Sequence, residues 1–205
     1  MDELELLKKD WKRHEKDFPR LKAAEIYPML LKKSSSIVKW IFIISLIELT
    51  VSTFLNIYLT DDQFWEQVET IHLKTITIGI YIISYLVTGV FIYCFYKNYR
   101  QISTTDSAAK LMENILKTRK VVKYYILYVL VSTGITTILF FIFSVVYFPV
   151  KNPSVEHPNW FWAILIGIVV TAILLAVVWV IYSLLYGILL RKLKRNYKEL
   201  KKLEY

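Results

Sequence analysis

Three runs of this 205-residue chain, 75–96, 124–150 and 160–190, contain no Asp, Glu, Lys or Arg, and a fourth, 37–59, is interrupted only by Lys39 and Glu48. Each is long enough to cross a hydrocarbon core, which takes ~20 residues of helix. One such run could be a buried helix of a soluble protein. Four in one small chain leave too little polar surface to cover them, and the 56% apolar content exceeds the roughly 45–50% of a soluble domain. In lipid each spanning backbone must satisfy its own hydrogen bonds, so the runs read as helices. The expected fold is an all-α integral membrane four-helix bundle.

Charge orients it. Lys and Arg number 9 in residues 1–36, 7 in 97–123 and 7 in 191–205, against 1 each in 60–74 and 149–159. Basic segments stay on the cytoplasmic side, so both termini are expected there. The first 36 residues carry 16 charges, unlike a secretory signal, and the first span is expected to act as an uncleaved anchor. The net charge of +9 is then accounted for by topology and by anionic lipid, with no direct nucleic-acid partner expected. Trp40, Tyr58, Trp65, Tyr96, Tyr124, Tyr147, Trp160 and Trp162 fall near the expected interfaces, where amphipathic rings are favoured. The single cysteine, Cys94, excludes an intramolecular disulfide and reads as a packing residue.

The chain also resembles itself. "IVKW" at 37–40 matches "VVKY" at 121–124, and "STFL" at 52–55 matches "TTIL" at 136–139 in the same register. With a one-residue gap, "AAEIYPMLLK" at 23–32 matches "AAKLMENILK" at 108–117. After the second span of each pair comes "KNYRQI" at 97–102 and then "RNYKEL" at 195–200. Duplication explains the matches, with convergence of apolar helices flanked by Lys and Tyr as the competing explanation. Each half begins and ends on the same side, so the repeats are parallel, about an axis along the membrane normal. The organisation predicted is a cytoplasmic amphipathic N-terminal region (1–36), a first transmembrane hairpin (37–96), a cytoplasmic linker with an interfacial helix (97–123), a second transmembrane hairpin (124–190) and a basic cytoplasmic tail (191–205). Segments near 22–33 and 107–118 are expected to lie along the cytoplasmic leaflet. Lys39 and Lys123 take equivalent places just inside the boundary, where their stems can snorkel.

Glu48 breaks the apolar rule. Ser45, Glu48, Ser52 and Asn56 recur at spacings of three and four on one helix face. Thr77, Tyr81, Ser84 and Thr88 form a comparable stripe in the second span, and Tyr125, Ser132 and Thr136 in the third; these faces are expected to point inward at one another. An ionised carboxylate at this depth costs a few kcal/mol or more, so Glu48 is expected to be neutral, hydrogen-bonded or water-exposed. Two roles are open. Glu48 is either a structural hydrogen-bonding group worth roughly 1 kcal/mol, or the proton or cation site of a small oligomeric pore or ion-coupled carrier.

Catalytic patterns are absent from the sequence. The three histidines, His14, His72 and His157, form no His-Glu-x-x-His helix and no cluster suited to a membrane oxygenase. His72 and His157 could meet at the outer face with Asp61, Asp62 or Glu156, but solvated loop positions explain them as well. Five scattered glycines build no phosphate loop. No catalytic residue, metal site or cofactor is expected, and the chain reads as a non-enzyme.

The N-terminus offers a surface for a partner. In "DELELLKKDWKRHEKDF", residues 2–18, Leu4, Leu7, Trp11, His14 and Phe18 alternate in steps of three and four, giving one apolar stripe on a charged helix. Asp2, Glu3 and Glu5 open it, as the helix dipole prefers, and Pro19 follows its end. The stripe fits a cytoplasmic protein, the bilayer surface or a second copy. "LLKKDWKRHE", 6–15, resembles the N-terminal segments of membrane-anchored bacterial anti-sigma regulators, in which a cytoplasmic helix holds a transcription factor. Such regulators usually have one span and an outer sensor domain. The whole chain is similar to a group of four-span bacterial inner-membrane proteins. The whole-chain likeness implies a four-span bacterial inner-membrane topology and no activity, whereas the N-terminal stripe and its resemblance imply an adaptor that recruits a cytoplasmic protein; an accessory role in a defence or secretion system is a further reading.

Overall fold

A computed structural model describes Glu5 and residues 23–70, 73–105, 107–151 and 159–203. The N-terminal stripe Leu4, Leu7, Trp11, His14 and Phe18 lies outside the described residues, as do His72, Glu156 and His157. Five helices follow in chain order: α1 (Ala23–Leu59), α2 (Asp62–Thr70), α3 (Lys74–Ser103), α4 (Ala108–Lys151) and α5 (Trp160–Leu203). α1, α3, α4 and α5 are each long and apolar enough to cross a membrane. All described regular structure is helical, as the four apolar runs predict.

These helices are longer than any membrane requires. α4 and α5 have 44 residues each, about 66 Å at ~1.5 Å per residue, against a hydrocarbon core of roughly 30 Å. The surplus carries the Lys and Arg. Residues 23–36, 108–123 and 191–203 extend the bundle roughly 20 Å past the apolar band, forming what is here called the basic end.

This corrects one expectation. Residues 23–33 and 108–118 are the first turns of α1 and α4, not separate segments along the leaflet. The physical reason is a buried stripe that runs unbroken through the charged region: Leu30, Ser34, Ile37, Val38 and Ile41 on α1, and Leu111, Ile115, Thr118, Val122 and Tyr125 on α4. No glycine or proline interrupts either stripe, and each arm gains more by packing on its neighbours than by lying on lipid. Phe95 and Ile102 of α3 with Tyr186, Leu193 and Leu200 of α5 complete one core.

The arrangement is a ring of four. α1 packs on α3 and α5, α4 packs on α3 and α5, α1 and α4 also touch across the middle, and α3 and α5 make no close contact. Toward the far end few side chains are buried, and the exposed ones are apolar, among them Phe54, Ile83, Leu86, Ile135, Ile168 and Val177. Apolar faces this extensive fit hydrocarbon, not water. Trp40, Tyr58, Tyr96, Tyr124 and Trp162 are exposed at the margins of that band, and Lys39 and Lys123 are exposed beside them.

Short polar caps punctuate the helices. Asp61 Oδ1 accepts from the Phe64 amide at 2.8 Å, Ser107 Oγ from the Lys110 amide at 3.3 Å, and Asn159 Oδ1 from the Phe161 amide at 3.1 Å, each serving amide groups that a helix start leaves without partners. α2 then folds over the far end. Its Phe64 ring stacks on Phe140 of α4 at 5.8 Å, and Trp65 meets Tyr81 of α3 edge-on at 6.4 Å. Asp61, one conceivable outer-face metal partner, is thus engaged as a helix cap.

Candidate functional site

Glu48 meets a partner on another helix. The Tyr186 hydroxyl of α5 donates to Glu48 Oε2 at 3.0 Å. Side chains lean toward the N-terminus of their own helix, so on these antiparallel neighbours Glu48 reaches toward the basic end and Tyr186 reaches away from it. The two groups converge. Tyr125 of α4 interacts electrostatically with the same carboxylate.

Those tyrosines are set in an aromatic layer that draws on α3, α4 and α5. Tyr125 packs on Phe91 at 5.3 Å, Phe95 at 5.5 Å, Tyr186 at 5.9 Å and Tyr182 at 6.1 Å between ring centroids. Tilted and edge-on geometries predominate, as ring quadrupoles favour. Tyr128 also packs on Phe91 and lies 3.3 Å from Ser84 Oγ, joining α4 to α3. The carboxylate is thereby held at the edge of a rigid apolar floor.

The other polar side chains behave unequally. Ser45 is buried and donates to Phe42 O at 2.7 Å. Ser52 is exposed and donates to Leu49 O at 3.0 Å, Asn56 Nδ2 donates to Ser52 O at 3.2 Å, and Ser132 donates to Val129 O at 3.1 Å. Thr88 is half-buried and Thr136 is exposed. The expected inward convergence therefore holds for Glu48 and Ser84 but not for Ser52 and Thr136. The reason is local: a Ser or Thr hydroxyl can bond a carbonyl one turn back in its own helix, so it needs no neighbour even at an apolar surface.

A second polar feature lies at the basic end. Ser34, Asn98, Thr118 and Asn196, one from each long helix, are 0%, 3%, 0% and 0% exposed. Asn196 Nδ2 donates to Ser34 Oγ at 3.0 Å across 162 residues of sequence. Nearby, Asn114 Nδ2 donates to Thr105 Oγ1 at 3.1 Å, and the Tyr27 hydroxyl donates to Thr105 O at 3.1 Å, fastening the α3–α4 connection to α1. Between this layer and Glu48 stand Val38, Ile41, Phe95, Val122 and Leu193, all 0% exposed. Neither Tyr186 nor the buried Ser34 and Thr118 stood out in the sequence. The signal for the layer was present in the matched Asn-Tyr pairs, since Asn98 and Asn196 have apolar residues three before and four after them.

Chemically, the Glu48 site is a carboxylate with phenolic donors, suited to holding helices together and, in principle, to exchanging one proton. Among the described residues no three of His, Cys, Asp and Glu group to hold a metal ion. An open groove of about 390 Å³ between α4 and α5 toward the far end is lined by apolar side chains apart from Thr171. It faces the same surface as the apolar band.

No curated protein and no solved structure matches the chain. One family does match, over residues 24–205, which include the four long helices and both polar layers but not the stripe at 4–18. The chain belongs to the family described as "Domain of unknown function (DUF8845)".

Proposed function

We propose that this protein is a non-enzymatic adaptor of the bacterial inner membrane. Its four long helices span the bilayer as two duplicated hairpins with both termini in the cytoplasm, and its N-terminal helix recruits or restrains a cytoplasmic protein, in the manner of an anti-sigma regulator. Duplication is supported by burial that follows the sequence repeat: Leu30 with Ile115, Ser34 with Thr118, Val38 with Val122, Phe95 with Leu193, Asn98 with Asn196 and Ile102 with Leu200 are all buried. Orientation is supported by the concentration of Lys and Arg at one end of the bundle.

The observation that carries the adaptor reading is the continuation of α1, α4 and α5 beyond the apolar band as a packed basic bundle. A chain needed only to cross the membrane has no use for roughly 20 Å of surplus helix with its own buried core. A chain that presents a segment to a soluble partner does. That core anchors α1, and the stripe at Leu4, Leu7, Trp11, His14 and Phe18 precedes it in sequence. The pore or carrier reading has less support, because five fully buried apolar side chains separate Glu48 from the polar layer at the basic end.

The test is photo-crosslinking in cells from position 11, in place of Trp11, with the captured species identified by mass spectrometry. One cytoplasmic protein, lost on Leu7→Glu while membrane insertion persists, is the expected result. Capture of lipid or of a second copy alone sinks the adaptor reading.

A further inference from the structure

The polar layer at the basic end is completed on one seam only. Asn196 on α5 donates directly to Ser34 on α1. The matches "IVKW" with "VVKY" and "KNYRQI" with "RNYKEL" make Thr118 the counterpart of Ser34, and Asn98 the counterpart of Asn196. The counterpart bond, from Asn98 on α3 to Thr118 on α4, is not formed. Asn98 is 3% exposed, and its Nδ2 has no hydrogen-bond partner in the protein. The Thr118 hydroxyl donates its hydrogen to Asn114 O at 2.9 Å, one turn back in its own helix.

The repeat gives these two side chains the places that Asn196 and Ser34 occupy on the other seam. On one side of them Asn114 Nδ2 donates to Thr105 Oγ1 at 3.1 Å. On the other the Phe95 and Tyr125 rings meet edge-on at 5.5 Å. Asn98 lies between Phe95 and Thr105 along α3, and Thr118 lies between Asn114 and Tyr125 along α4. A buried amide with an unspent donor thus stands where, on the other seam, its counterpart bonds the matching hydroxyl directly.

Native folds rarely leave a buried amide donor without an acceptor. Gln101 Oε1, one turn from Asn98 on α3, and Arg119 Nε, next to Thr118 on α4, are likewise buried without a protein partner, so this seam holds spare donors and spare acceptors together. Water offers both functions, and two to four polar partners are what an internal water takes. Asn196 Oδ1, buried and also without a protein partner, gives the layer a further acceptor.

We propose that the Ser34–Asn98–Thr118–Asn196 layer is a water-binding site, in which one internal water accepts from Asn98 Nδ2 and donates to Thr118 Oγ1 in place of the direct bond that Asn196 makes to Ser34. The two hairpins, alike in sequence, are then joined unequally. The α1–α5 seam closes by direct contact, and the α3–α4 seam closes through an exchangeable molecule. This inference is independent of the adaptor reading.

Two measurements on the full-length chain in lipid nanodiscs decide it. A density map fine enough to show ordered water is expected to place a peak within hydrogen-bonding distance of both Asn98 Nδ2 and Thr118 Oγ1; a direct Asn98–Thr118 bond, or an ordered layer with no peak there, overturns the proposal. Thermal melts of Asn98→Leu, Thr118→Val and the double variant give a readout free of map quality. Each single change is expected to lower Tm by roughly 2–4 °C, with the double variant no lower than the worse single, because both remove the same bridge. Additive losses, or a Tm that rises in Asn98→Leu, count against a shared water.

Discussion

At the scale of single residues, Glu48 is most simply a pin. Its carboxylate accepts from a tyrosine whose residue is 0% exposed, so removing the acceptor strands a buried hydroxyl, at a cost of about 1–3 kcal/mol. Glu48→Ala should lower the melting temperature of the detergent-solubilised protein by about 2–4 °C per kcal/mol lost. Tyr186→Phe should do the same, with the double variant less than additive. Glu48→Gln keeps an acceptor for Tyr186 and should shift Tm by less than half as much. Tryptophan fluorescence during heating reads all four; equal shifts for Gln and Ala would mean that charge, not the hydrogen bond, is what the site uses. The presence of an acid in a span was legible in the sequence, but its partner was not. Glu48 and Tyr186 are 138 residues apart, and helical periodicity relates positions within a helix, never across two.

At the scale of elements, the α4–α5 hairpin depends on the absence of one side chain. A Cβ placed on Gly167 would sit 2.5 Å from the Phe141 ring, whereas Gly79 and Gly89 have nothing within 4 Å of theirs. Gly167→Ala must therefore turn that ring or part the helices, and should cost about 1–3 kcal/mol as overpacking does. Gly79→Ala and Gly89→Ala should be neutral, or stabilising by up to about 1 kcal/mol through helix propensity. Melting curves of the three variants separate close approach from mere helix weakness. The helix caps make a smaller prediction: Asp61→Ala loses the acceptor for the Phe64 amide and should fray α2 at a cost of about 1 kcal/mol, seen as faster amide exchange at residues 64–66. The positions of the long apolar helices were readable because four runs of that length with almost no charge leave helix as the backbone's self-satisfying form. The arms were misread because a charged amphipathic helix has the same period whether its apolar stripe faces lipid headgroups or three neighbouring helices. Ser34 and Thr118 concealed the continuity, being polar residues in a stripe that stays buried.

At the scale of the whole molecule, packing is concentrated at the basic end, while the apolar half relies on its surroundings. In inverted membrane vesicles the many Lys and Arg of 108–123 and 191–203 should resist trypsin for as long as the core holds, because backbone in a packed helix does not fit a protease cleft. Leu111→Asp, which sets a charge in a fully buried position, should expose those bonds, and cleavage should accelerate at least tenfold as followed by gel. Rapid cleavage of the unaltered chain within 108–123 would contradict the packed-bundle description. That the chain folds as four long apolar helices was legible because it is written in local composition. The ring order, with α1 and α4 touching and α3 and α5 apart, was not, because four similar apolar helices carry little information on which neighbour each prefers.

The stack of Val38, Ile41, Phe95, Val122 and Leu193 has an electrical consequence. These hydrocarbon side chains fill the interior where the apolar band meets the basic end, and a filling of such low dielectric holds charge out of the bundle. An ion path along the axis of a single bundle would first have to part them.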